Sequence, residues 1–180
     1  SKYIKEKEGK DLAELPNVVV RVILRIAPFP SGALHLGNAK TFLLNAIYAE
    51  RYKGKLILVM DDTIGSLEKP IEKEAYELIV EALKWLGIKY DKKIIYKSDR
   101  LEIYYKYAEE LIKKDKAYVC HCSADELREM RAKGKECACR QFPVDIQLKR
   151  WKDMFEAREG EATLRIKTDI MHPNPAVRDW

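Results

Sequence analysis

The sequence predicts an α/β fold built on a doubly wound parallel sheet, followed by the start of a second, α+β unit. Three observations predict it. Apolar, β-branched runs alternate with segments of helical periodicity as far as Lys116. The turn from the first run into the first helix, Arg25-Ile-Ala-Pro-Phe-Pro-Ser-Gly-Ala-Leu-His-Leu-Gly-Asn38, has the makings of a polyphosphate cradle. Beyond Lys116 the composition changes to two cysteine pairs set among arginines and lysines.

Residues 1–17 are mostly charged and end at Leu15-Pro16-Asn17, so they read as an N-terminal extension containing at most a short helix. Residues 18–26 are almost wholly apolar apart from their arginines, as expected of a strand buried in a parallel sheet. Pro28, Pro30 and Gly32 stop that run. Leu36, Ala39, Leu43, Ala46, Ile47 and Ala49 then recur at helical spacing, predicting a helix over 36–52. A strand at 55–60 follows, then a helix at 70–86 with Pro70 at its start and Gly87 past its end. A short strand near 93–96 leads to a helix over 100–114, with Asp99 and Glu102 as its capping box. This order predicts a nucleotide-binding half over 18–116, with ligands outside the carboxyl ends of the strands. A second unit is expected over 117–180, containing a β-like run at 162–168.

Composition limits the function classes. With 180 residues and 47% hydrophobic content the chain can bury a core, which excludes a disordered tail. The 34 Lys and Arg against 29 Asp and Glu give +5, which suits a polyanion such as RNA and equally a solvated surface. A charged content of 35% with few Asn and Gln resembles the bias of hyperthermophile proteins. No apolar run approaches ~20 residues and no signal peptide is recognisable, so a cytosolic protein without membrane contact is expected.

His35 and Asn38 fall at the start of the first predicted helix, where unpaired N–H groups and the positive end of the dipole gather anions. An imidazole and an amide add directed hydrogen bonds there, and Gly37 allows close approach of a flat base. Neither a Walker sequence nor GxGxxG is present. Taken alone, His-x-Gly at such a place is also an ordinary strand-to-helix turn.

The rest of the segment goes further. PSGALHLGN resembles the HIGH signature of class I aminoacyl-tRNA synthetases, in the form carried by the glutamyl and glutaminyl enzymes. LILVMDDT (56–63) is similar to the family's strand ending in a carboxylate pair, and YKSDRLEIYYKYAEELIKKDKAYVC (96–120) to the helix leading into its acceptor-binding insertion. EATLRIKTDIMHPNPAVRDW (161–180) resembles the strand and loop that continue that insertion. The similarity runs from about Arg21 to Trp180 and is that of the N-terminal part of a glutamyl-tRNA synthetase of archaeal type, a Rossmann-like half followed by a connective insertion.

The resemblance implies an ATP-dependent ligase that joins glutamate to AMP and passes it to the 3′ end of tRNA(Glu). ATP, L-glutamate and the tRNA acceptor stem would be its partners, with Mg²⁺ brought by ATP. It implies that His35 and Asn38 act on the phosphates, and that Pro28, Gly32 and Gly37 complete the ATP site. Arg25 would grip a carboxylate of the amino acid and Asp61 its ammonium group, with Asp62 and Thr63 in support. Four positions depart from the family pattern. Asn38 stands where a second histidine is common, Phe29 where bacterial relatives carry a small polar residue, Val59 where an arginine is usual, and Ile64 in place of a polar residue. The glutaminyl enzyme is therefore the neighbouring alternative, and a zinc-stabilised RNA-binding module without independent catalysis the one from another class. No KMSKS-like loop or second half of the sheet follows, so a truncated piece that binds ATP but turns over poorly is expected. A monomer is expected separately.

Cys120-His-Cys122 and Cys137-Ala-Cys139 form two C-x-C pairs separated by fourteen residues. Four thiolates suit tetrahedral Zn²⁺ in a closed, structural site. Disulfides are the competing reading, disfavoured in a reducing compartment, and His121 is a possible substitute for one cysteine. Similar knuckles occur in the insertion of some glutamyl enzymes. Arg128, Arg131, Lys133, Lys135, Arg140, Lys149, Arg150 and Lys152 surround the pairs, with Glu126, Glu129 and Glu136 interleaved. They fit a basic face along RNA or a solvated helix face; Trp85 and Trp151 are expected in the core.

Overall fold

The computed structural model describes residues 12–66 and 69–179. The first eleven residues of the expected extension therefore lie outside the described residues. The chain divides into two compact units at Asp99 and Arg100.

The first unit runs β1 (Ile23–Ile26), α1 (Leu36–Arg51), β2 (Lys55–Met60), α2 (Lys73–Trp85) and β3 (Ile95–Tyr96). The strands are parallel in the order β1-β2-β3, with Ile23 opposite Lys55, Ile26 opposite Leu58, and Met60 opposite Tyr96. Alternate residues of β2, Leu56, Leu58 and Met60, are buried against Phe42 and Ala49 of α1 and Ile79 and Leu83 of α2. Residues two apart on a strand share a face, so both helices pack on one side of the sheet. The unit thus displays one of the two helical layers that a doubly wound sheet has.

β1 departs from expectation. Of the expected run 18–26 only Ile23–Ile26 pairs with β2, while Val19 and Val20 before it are 89% and 77% exposed. Among the described residues β1 pairs on one side alone, as an edge strand rather than a buried one. β-branched side chains favour extended backbone, but without a neighbouring ladder nothing fixes the strand. α2 begins three residues after Pro70, at a point where the Glu72 amide donates to the Pro30 carbonyl (2.9 Å). Gly87 closes it with φ +69°, a left-handed conformation that glycine adopts without strain. Trp85, expected in the core, is 85% exposed at the last position of α2.

The second unit contains α3 (Leu101–Lys113), β4 (Ala117–Cys120), α4 (Ala124–Ala132), α5 (Val144–Asp153) and β5 (Thr163–Ile166), which pairs antiparallel with β4. Asp99 lies in a 3-10 turn, the N-cap is Arg100, and no side chain caps α3, so the expected box of Asp99 and Glu102 does not form. A capping box does open α4, between Ser123 and Glu126. The sequence grouped α3 with the first half; here Ile112, Tyr105, Ala108 and Leu111 pack on Ala117, Val119 and Trp151. Trp151 is buried, in edge contact with Tyr105 and Phe155. No helix among the described residues is long and apolar enough to cross a membrane.

Candidate functional site

The turn after β1 is pinned at both ends of its proline pair. Pro28 and Pro30 are buried; the Pro28 carbonyl accepts from the Asp61 amide (2.9 Å) and the Pro30 carbonyl from Glu72. The loop that ends at α1 is thereby tied to the carboxyl end of β2. Gly32 has φ +133°, a conformation unfavourable for any side chain.

His35 is the N-cap of α1. Its Nδ1 accepts from the Gly37 amide (3.2 Å), and the first turn of the helix contains no acidic residue. A neutral ring that accepts at Nδ1 carries its proton on Nε2, so the exposed imidazole offers an N–H donor beside the helix amides. A Cβ on Gly37 would stand 3.0 Å from His35 Cε1. Glycine there gives the imidazole room to fold over the helix end; a Cβ would make the ring shift by a few tenths of an ångström. Asn38 lies in the same first turn, its amide donating to the His35 carbonyl (3.0 Å).

Asp61 and Asp62 follow β2, beside Lys97 and Ser98, which follow β3. Asp62 is buried and accepts from the Ser98 amide (3.0 Å), the Ser98 hydroxyl (2.7 Å) and the Tyr76 hydroxyl (3.3 Å). Burial pushes its carboxyl up, but the two Ser98 donors, its own backbone amide and the Tyr76 hydroxyl together outweigh it and hold it below the ordinary 3.8. Asp62 is thus a brace between β2, β3 and α2. A carboxyl lowered on folding adds stability that is complete above its unfolded-state pKa and is lost as pH falls through the lower, folded value. Ser98→Ala is expected to cost about 1 kcal/mol of stability at neutral pH, a deficit that shrinks as pH falls through the folded value, read by denaturant unfolding followed by circular dichroism at each pH.

Asp61 is the freer carboxylate. Its Oδ1 accepts from Lys97 Nζ at 2.5 Å, and the two side chains are 19% and 24% exposed. Thr63 and Ile64 are exposed. Arg25, the third residue of β1, is exposed and alternates with Leu24 and Ile26, which face the core. Sequence reasoning missed Tyr76, Lys97 and Ser98. Lys97 and Ser98 stand in YKSD, inside a stretch already matched to the family, but only the ladder between β2 and β3 brings them to the aspartates. A hollow of about 450 Å³ lined by Ala46, Glu50, Lys53 and Lys89 lies instead toward the opposite end of α1.

In the second unit the four cysteine sulfurs lie within 4.8 Å of one another, and all four thiols are free. Cys120 ends β4, Cys122 precedes α4, and Cys137 and Cys139 flank the start of a 3-10 turn at Ala138–Gln141. Cys120 and Cys137 sulfurs are 3.7 Å apart. Tetrahedral Zn–S bonds of about 2.3 Å would set sulfurs about 3.8 Å apart. A disulfide needs about 2.05 Å. His121 is exposed and is not part of this group. Burial pushes the Cys120 thiol up and that of Cys122 up to about 11. At Cys139 burial is outweighed by the His121 amide and the Arg150 guanidinium, and the thiol is lowered. Arg150 donates to Cys139 Sγ (3.3 Å) and to the Val119 carbonyl, and buried Gln147 bridges the Val119 amide to the Cys139 carbonyl.

The basic residues do not form one face. Arg150 turns inward to the cysteines, Arg140 pairs with Glu136 and buried Asp179, Arg128 pairs with Asp125, and Lys133 with Glu129. Glu126 is spent on the cap of α4. Arg131 donates to the Pro175 carbonyl (3.0 Å), and Lys135, Lys149 and Lys152 remain exposed.

Residues 21–180 match the family model described as tRNA synthetases class I (E and Q), catalytic domain. The chain is 57% identical to a glutamate–tRNA ligase of Pyrococcus furiosus over 98% of its length and 31% of the relative's. It is 49% identical to the glutamate–tRNA ligase of Methanothermobacter marburgensis over 98% of its length and 31% of the relative's. The crystal structure of a glutamate-tRNA synthetase from Elizabethkingia anophelis superposes with a TM-score of 0.58 at 25% identity, covering 82% of this chain and 33% of that one. The chain thus spans about a third of the length of the relatives it matches.

Proposed function

The chain belongs to the class I tRNA synthetase family for glutamate and glutamine, and on that premise we propose that the protein carrying it joins glutamate to AMP and transfers it to tRNA(Glu). What supports this reading is the imidazole at the mouth of α1, its Nδ1 held by Gly37 and its Nε2 free to donate, on a loop tied to Asp61.

In the first step a glutamate carboxylate oxygen attacks the α-phosphorus of ATP, and pyrophosphate leaves with the electrons of the broken P–O bond. A carboxylate is already ionised at neutral pH, so no general base is required. The task is to align two anions and absorb charge on the phosphate oxygens. His35 Nε2–H and the Asn38 side chain supply donors for that charge at the positive end of α1, with Pro28, Gly32 and Gly37 shaping the approach. Asp61 receives the substrate ammonium and Arg25 a carboxylate, for which its planar fork is suited. Mg²⁺ enters as part of the ATP substrate.

The cysteine geometry fits a structural Zn²⁺ held by Cys120, Cys122, Cys137 and Cys139. Such an ion would cross-link β4 to the following turn, and four protein ligands leave no position open for a reacting group. The second unit would then meet the tRNA acceptor stem, with exposed Lys135, Lys149 and Lys152 as cations available to phosphate.

Charging by the full-length protein, with glutamate and glutamine offered separately, tests the reading. Glutamate is expected to be attached to tRNA at least 100-fold more efficiently, a difference of about 2.7 kcal/mol. Preferential charging with glutamine would move the chain to the sister enzyme. RNA binding without pyrophosphate exchange would favour the module without catalysis.

A further inference from the structure

Lys97 has no part in the mechanism above, yet its ammonium lies 2.5 Å from Asp61 Oδ1. Asp61 and Lys97 are the first residues beyond the carboxyl ends of adjacent parallel strands, and the Lys97 amide donates to the Met60 carbonyl (3.2 Å). That is the edge of an α/β sheet where ligands bind. Asp62 next door needs no cation, because Ser98 and Tyr76 supply three donors. The ion pair is therefore particular to Asp61, and it leaves Oδ2 of that carboxylate able to accept a second donor.

We propose that Lys97 makes the amino-acid pocket prefer glutamate over glutamine. This rests on the reading of Asp61 as the ammonium site. A substrate ammonium at Asp61 Oδ2 brings the remainder of the amino acid close to Lys97 Nζ. Glutamate and glutamine share the ammonium and α-carboxylate and differ in one negative charge on the side chain. With Asp61 matched to the ammonium and Arg25 to a carboxylate, Lys97, already in contact with Asp61, is a cation placed to take the second carboxylate. Both members of the pair are largely buried, where charges interact more strongly than in water. The flexible stem of a lysine lets its ammonium swing from Asp61 to a bound anion without breaking the β2–β3 ladder.

The test uses full-length protein with tRNA present, measuring pyrophosphate exchange with glutamate and inhibition of that exchange by glutamine. Lys97→Gln keeps a hydrogen-bond donor for Asp61 and removes the charge. It is expected to raise KM for glutamate about tenfold, leave KM for ATP unchanged, and alter the glutamine inhibition constant less than about threefold. Lys97→Arg should restore the preference to within about threefold. An unchanged glutamate KM in Lys97→Gln would overturn the proposal, as would equal weakening of both amino acids, since that pattern means Lys97 only braces Asp61. Asp61→Asn separates the two readings. It should weaken both amino acids strongly, and if it weakens neither, the ammonium site itself is misplaced. Thermal melting of each variant distinguishes lost folding from lost recognition; Lys97→Arg, which keeps the ion pair, carries the test should Lys97→Gln fail to fold, and must then retain the wild-type preference.

Discussion

Replacing His35 with alanine is expected to lower adenylate formation by the full-length protein about 100- to 1000-fold, the range observed when a single preorganised donor to a developing oxyanion is removed. The change removes two things at once. The outward Nε2–H disappears, and so does the acceptor that caps the Gly37 amide, a loss of about 0.5–2 kcal/mol in helix stability. His35→Asn separates them. Asparagine is among the best N-cap residues, so it should restore the melting temperature while leaving the turnover defect, because its short side chain cannot both cap the helix and reach a phosphate. Pyrophosphate exchange with saturating ATP and glutamate measures the first effect, and calorimetry the second. If alanine at 35 left both ATP affinity and exchange within about twofold of the wild type, α1 would not be the phosphate site.

The helical register was readable because it depends on neighbours in sequence. Leu36 to Ala49 carry an apolar period that a helix needs, and the helix forms over Leu36–Arg51; Lys55–Met60 is a strand with the expected bounds. What sequence could not resolve depends on neighbours in space. Val18 to Val20 have the same β-branched character as Ile23 and Ile26, yet only the latter meet a partner strand. The apolar face of α3 is evident, but nothing local says whether it belongs to the core of β2 or of β4. Trp85 illustrates the same limit: its size argues for burial, and its place at the end of α2 exposes it. At the site, His35, Asp61 and the four cysteines stood out because each sits in a short motif. Lys97, Ser98 and Tyr76 did not, because their roles arise from a ladder across 36 residues and a helix packed behind it.

The cysteines carry the second large prediction. Protein purified without added zinc is expected to hold about one equivalent of Zn²⁺, and stripping it should unfold residues 100–180 as a unit. Structural zinc contributes about 10–16 kcal/mol of apparent binding free energy, comparable to the entire stability of a domain at about 5–15 kcal/mol. The geometry explains why so much depends on it. β4 is sandwiched, with Ala117 and Val119 on the α3 and α5 side and Tyr118 and Cys120 on the cysteine side. Arg150 and Gln147 reach from α5 to Cys139, so loosening the cysteine loops also releases α5. Buried Tyr118 contacts both Cys137 and Asp179, which extends the link to the chain after β5. Trp151, buried between Tyr105 and Phe155, reports the event by a red shift of its emission on chelation, whereas exposed Trp85 contributes an already red signal that does not move. Cys120→Ser should reproduce the shift at full zinc concentration, since one lost thiolate both weakens the metal and leaves a polar group in an apolar pocket. Less than half an equivalent of metal, or a fold indifferent to chelation, would point instead to four reduced cysteines held by packing alone.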